Sequence, residues 1–151
     1  MAAEPPREAD QQDTPQPRPR TLRHGGSRDS QPDGFASDSQ EQLLVYEALK
    51  RAQAQLPQDS TIAVFPLPRG WLGSGSVWVP DFIVTASGQV GAIEVDDLHP
   101  HEQFAADAAF DRLWRSSGIA HIERILLKGF SADCEVDALV RQFLARLREH
   151  H

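Results

Sequence analysis

Two β-type runs, Val77–Thr85 and Gln89–Asp96, are separated by only a short Ala-Ser-Gly segment, Ala86 to Gly88. A connection that short cannot carry a crossover, so the two runs must pair as an antiparallel hairpin. Pro80 lies inside the first run and has no amide hydrogen to give to a ladder, which predicts an edge position or a bulge there. A third run, Thr61–Leu67, is β-branched and apolar and is stopped by Pro66 and Pro68. Between it and the hairpin, Arg69–Ser76 is rich in Gly and Ser and reads as a mobile loop carrying Trp71.

Helical patterns bracket these strands. Asp38 with Glu41, or Ser39 with Gln42, has capping-box spacing, and Leu43, Leu44, Tyr46, Leu49 and Ala52 follow at helical intervals until Pro57. After Pro100, residues His101–Ser116 read as a helix with Ala106, Ala109, Phe110 and Leu113 as its core stripe and Gly118 as its stop. His121–Leu127 reads as a fourth strand. A last helix is expected from Asp133 to about Arg148, burying Val136, Leu139, Val140, Phe143, Leu144 and Leu147. The expected fold is therefore α/β in the order α-β-β-β-α-β-α, a sheet with helices on both faces.

Residues 1–40 hold six of the eleven prolines and, beyond Leu22 and Phe35, almost no large apolar side chain. Such a segment cannot bury enough surface to offset its ordering entropy, so 1–38 is expected to be a disordered tail and 39–151 the folded domain. A single cysteine, Cys134, excludes an internal disulfide framework and a multi-cysteine zinc cage. No apolar run approaches the roughly 18 residues of a bilayer span, and the N-terminus carries no apolar signal region, so the expectation is a cytoplasmic protein without membrane contact. The net charge of -7 lacks the basic excess of a protein that holds nucleic acid mainly through its phosphates.

The acidic residues at the hairpin carry the chemical signal. Strand alternation puts Ala92, Glu94 and Asp96 on one face. If Val84 pairs with Gln89, Asp81 lies opposite Ala92, on the face of Glu94 and one diagonal step from it. Diagonal neighbours are about 7–8 Å apart, near enough for two carboxylates to share a cation. Hard oxygen ligands suit Mg²⁺ or Mn²⁺ better than zinc. The alternative is that Asp96, Asp97 and His99 form an ordinary polar loop between strand and helix.

Pro80-Asp81, then Glu94-Val95-Asp96, in an α-β-β-β-α-β order, resembles the PD-(D/E)XK phosphodiesterase superfamily. The likeness is to its small endonuclease-like branch, related to the very-short-patch-repair endonucleases. Members of that branch commonly have Glu-hydrophobic-Asp-Gly with a histidine shortly after, then a helical aspartate seven residues before a glycine. Here Asp111 precedes Gly118 by that interval, and the likeness spans roughly residues 40–148. It implies a restriction-endonuclease-like core, with Asp81 and Glu94 as metal-binding carboxylates and the Val95 carbonyl as a further ligand. It implies that Asp96 stands in the place of the superfamily's lysine, and that His99 or His101 orients or deprotonates the attacking water. Glu41 would be an accessory acidic group, and Asp111 a further accessory residue of the helix. A histidine near its reference pKa of about 6.5 suits general-base work at neutral pH.

Other candidates flank this set. Trp71 is placed to stack on a base and Arg69 beside it to meet a phosphate, while Trp78 is expected to pack in the core. Asp107 and Asp111 form a like-charge i,i+4 pair that Arg115 could compensate; the same helix could instead turn Asp107, Asp111 and Arg112 toward a cleft. The resemblance implies an Mg²⁺- or Mn²⁺-dependent endonuclease acting on DNA. The acidic balance predicts weak binding alone, with a protein partner or a second copy supplying basic surface. Asp97 in place of the glycine, and only two lysines in the domain, support an alternative: a catalytically degenerate nuclease-fold module that binds or assembles.

Overall fold

The computed structural model describes residues 35–37, 39–71, 75, 77–96, 104–127 and 133–149. Helix α1 (Gln40–Gln55) opens on Ser39, whose hydroxyl accepts from the Gln42 amide at 3.1 Å; Asp38 lies outside the described residues. Strands β1 (Ala63–Pro66), β4 (Phe82–Ala86), β5 (Gln89–Asp96) and β6 (His121–Leu126) form a mixed sheet in the order β1-β4-β5-β6. The pairs β1–β4 and β4–β5 are antiparallel, and β5–β6 is parallel. A parallel pair needs a crossover, and α2 (Phe104–Ser116) lies on that connection. Helix α3 (Asp133–Glu149) closes the described chain. Among the described residues the architecture is α/β with three α-helices.

The run expected at Val77–Thr85 is broken in two. Its first part, β3 (Val77–Trp78), leaves the main sheet and pairs antiparallel with β2 (Gly70–Trp71) in a separate ribbon. The break falls at Val79-Pro80-Asp81, where the proline lacks the amide a continuous ladder needs. Gly70 and Trp71, expected in a mobile loop, are therefore strand residues.

The hairpin register also differs from expectation. Val84 pairs with Gly91 and Ala86 with Gln89, so only Ser87 and Gly88 form the turn. Both have positive φ, 51° and 79°, the conformation of a two-residue turn whose twist matches its strands. The two-residue shift in pairing continues the ladder toward Asp81 opposite Glu94, not Ala92.

Alternation divides the interior into two layers. Phe82, Val84, Ile93 and Val95 pack with Val45 and Leu49 of α1 and with Val136, Val140 and Phe143 of α3. Gly91 belongs to this layer: a Cβ there would sit 2.8 Å from Phe143 Cζ, so α3 crosses β5 where no side chain intervenes. On the opposite face, Ala92 and Ile122 pack with Trp78 and Trp114. The expected α3 stripe is in place, with Leu139 partly buried. The α2 stripe needs correction: Leu113 is exposed, and Trp114 is the buried residue, packed at a tilt against Trp78 with centroids 4.7 Å apart. Phe35, assigned by composition to the tail, is buried against Tyr46 at a centroid distance of 4.3 Å.

Candidate functional site

Asp81 is fully buried and stands just before β4, where the ladder is interrupted. Its backbone carbonyl accepts from the Leu67 amide at 2.8 Å, continuing the contact toward β1. Its side chain replaces the missing backbone on the other side: Oδ2 accepts from the Val95 amide at 2.7 Å. Oδ1 accepts from the side-chain amide of Gln42, itself buried on α1. Asp81 thus ties β5 to the first turn of α1 through its carboxylate and holds the segment just after β1 through its backbone carbonyl. Within an extended strand the N–H and C=O of one residue point to the same edge, so the Val95 carbonyl opens toward the edge where Asp81 sits.

Glu94 takes a different partner. Alternation sets it with Ala92 on the tryptophan layer, and its Oε1 accepts from the Trp78 indole N–H. The expectation that Asp81 and Glu94 project together from one face is corrected: Asp81 reaches a residue of α1, whereas Glu94 reaches the opposite layer. The break at Pro80 causes this, because Asp81 is freed from the alternation of β4 and can turn its carboxylate along the sheet.

The remaining candidates take other partners or lie outside the described residues. Glu41 is partly buried at the start of α1, but its neighbour Gln42 is the residue that reaches Asp81. Asp96 ends β5 in register with Leu126, and its side chain, with Asp97, His99 and His101, lies outside the described residues. Asp111 is held by Arg124 in a two-pronged pair, Nη2 to Oδ1 at 2.7 Å and Nη1 to Oδ2 at 2.9 Å, which fastens α2 to β6. Arg124, four positions into β6, replaces the expected compensation by Arg115, which is exposed. Arg69 and Arg112 are exposed, and Trp71 is 66% exposed. The side chain of Asp107 is not among those described.

Two residues that contact the candidate carboxylates, Gln42 and Trp78, are not picked out as partners by the sequence. Gln42 carried a usable signal, since it lies three and seven residues before the buried Val45 and Leu49 and so shares their face. Trp78 was read as core, correctly, but its indole N–H gave no sign of reaching a carboxylate sixteen residues on.

For a divalent ion, Asp81 and the Val95 carbonyl are suited in donor type, but Asp81 is fully buried with both oxygens hydrogen-bonded, so an ion would have to open those contacts to reach it. Glu94 is bonded to the Trp78 indole. Among the described residues no three of His, Cys, Asp and Glu are grouped as a metal site. Among the same residues no helix is long and apolar enough to cross a membrane. Scans against protein-family models, curated proteins and solved structures return no match.

Proposed function

We propose that this chain is a PD-(D/E)XK-like domain that hydrolyses phosphodiester bonds in DNA with Mg²⁺ or Mn²⁺. The observation that carries the reading is the fully buried Asp81 carboxylate at the break between β3 and β4, next to the Val95 peptide. Burial of a carboxylate is costly, and such groups concentrate at functional sites. Asp81 and the Val95 carbonyl would hold the ion. When bound, the ion supplies Lewis-acid stabilisation of the phosphoryl oxygens and a more acidic water.

The chain's own residues have separate tasks in this reading. Gln42 and the Val95 amide fix the rotamer of Asp81, and these two contacts are the ones an entering ion would compete with. Asp96 and His99 are the proposed water-orienting groups, with Glu41 and His101 accessory to them. Asp111 holds α2 against β6 through Arg124. The net charge of -7 favours action within an assembly, where a partner or second copy adds basic surface, in the cytoplasm.

A second reading is favoured by Glu94. Its bond to Trp78 withdraws one of the two expected carboxylates from the ion, as in a nuclease fold that has become a binding or assembly module. Titration with Mn²⁺ and nicking of supercoiled plasmid separate the two. Binding and nicking by the parent, both lost in Asp81→Asn, support hydrolysis; metal binding with no cleavage of any nucleic acid supports the module.

A further inference from the structure

We infer that the β2–β3 ribbon is a stacking platform for unpaired nucleotides, with Trp71 as the stacking surface and Arg69 as its phosphate contact. The ribbon has a fixed side and a free side. On the fixed side, Gly70 lies so close to Trp114 that a Cβ would meet Cη2 at 2.7 Å. Trp78 of β3 packs at a tilt against the same indole, centroids 4.7 Å apart, and meets Phe110 edge-on at 6.0 Å. Alternation along β2 then turns Trp71 away from Trp114, and it is the most exposed large hydrophobic residue of those described. Arg69, two residues before it and also exposed, falls in the same alternation.

An exposed tryptophan on a floppy loop would lose much of its stacking energy to ordering. This one sits on a ribbon already clamped by three aromatic rings, so that cost is met in folding. The ribbon is also tied to the sheet: Trp78 donates to Glu94, the neighbour of Val95, whose amide holds Asp81. A strand stacked on Trp71 is therefore in fixed relation to the Asp81 region. Asp111 is paired with Arg124 and Glu94 accepts from the Trp78 indole, while Arg69 is an exposed cation two residues from Trp71. Stacking with a flanking cation fits a base and its phosphate better than a protein surface. It favours unpaired over paired strands, because only unpaired bases offer both faces.

This inference names a substrate class for the proposed phosphodiesterase, yet its test is independent of cleavage. Polarisation of labelled oligo-dT is measured with the full chain in EDTA at low salt, against a duplex of equal length. The expected result is tighter binding of oligo-dT than of duplex, weakened about fivefold or more in Trp71→Ala and largely kept in Trp71→Phe. Arg69→Ala should lower the salt dependence by about one phosphate contact. Equal binding by Trp71→Ala and parent, preference for the duplex, or no binding by the parent would each overturn it. Oligo-dT binding that survives a failure to nick plasmid leaves the platform standing and removes hydrolysis; nicking without oligo-dT binding does the reverse.

Discussion

The Asp81 carboxylate and the Val95 amide, 2.7 Å apart, complete the β4–β5 ladder with a side chain where backbone pairing has stopped. Asp81→Ala would strand the buried Val95 N–H and the Gln42 amide together. The expected loss is about 1–3 kcal/mol for each group left without its acceptor, seen as a lower urea midpoint with an unchanged slope. Asp81→Asn should lose much less. Its carbonyl oxygen can still accept from Val95, and Gln42 can turn its own amide oxygen toward the new NH₂ group. The asparagine variant therefore removes the charge while keeping the fold, and is the variant to use in the metal titration.

The Asp111–Arg124 pair is expected to behave as one unit. Its side chains are 19% and 31% exposed, and two parallel hydrogen bonds fix both planes. Double-mutant cycles with Asp111→Ala and Arg124→Ala should give a coupling energy of about 1 kcal/mol, reduced at high salt. A coupling near zero would show that α2 is held by Trp114 and Phe110 alone.

Much of the layer built from α1, α3 and the hairpin was legible because its signals are local. Val136, Val140, Phe143 and Leu147 recur at helical spacing, and Ala-Ser-Gly leaves no room for anything but a turn. What was not legible depends on contacts between distant segments. The register turned on Ser87 adopting positive φ, which a serine rarely does and which no pattern of hydrophobicity announces. Leu113 and Trp114 are adjacent, and the choice of buried residue was made by Trp78 and Gly70, more than thirty residues earlier. At the candidate site, Asp81 was found from its place after Pro80, but its direction was not. Alternation holds inside a strand, and Asp81 falls in the break around Pro80, between β3 and β4, where the rule does not apply.

Phe35 is the first described residue and is packed into the core. It lies 4.3 Å from the Tyr46 ring and 6.0 Å from Phe82, the residue after Asp81. Phe35→Ala should cost about 3 kcal/mol or more, the usual penalty for emptying a buried aromatic site. A chain beginning at Ser39 should show a comparable loss in urea melts, whereas one beginning at Gly34 should keep Phe35 and match the parent. Equal stability of the two truncations would place Phe35 outside the cooperative unit.

Gly91 is the point where α3 approaches the sheet. Gly91→Ala would push a methyl to 2.8 Å from Phe143 Cζ and 3.1 Å from Leu147 Cδ1, both on a helix packed over its length. Overpacking of this kind costs about 1–3 kcal/mol. Phe143→Leu in the same chain should recover part of that loss, because it shortens the side chain that blocks the new methyl. A neutral Gly91→Ala variant would mean that α3 can shift outward freely.

Glu94 distinguishes a structural tie from a metal ligand by the response to one isosteric change. Its described partner is the indole N–H of Trp78, a residue only 6% exposed. Glu94→Gln keeps an oxygen in the same place, so the tie should survive with a small loss of stability, since the charged acceptor is stronger than the amide. Glu94→Ala should cost about 1–3 kcal/mol by leaving that indole donor without its acceptor. Neither variant should change Mn²⁺ affinity by more than the loss of a distant charge would, whereas Asp81→Asn should abolish it. If Glu94→Gln weakens Mn²⁺ binding as much as Asp81→Asn does, with stability preserved, then the Trp78 contact opens when the ion enters and both carboxylates belong to its site.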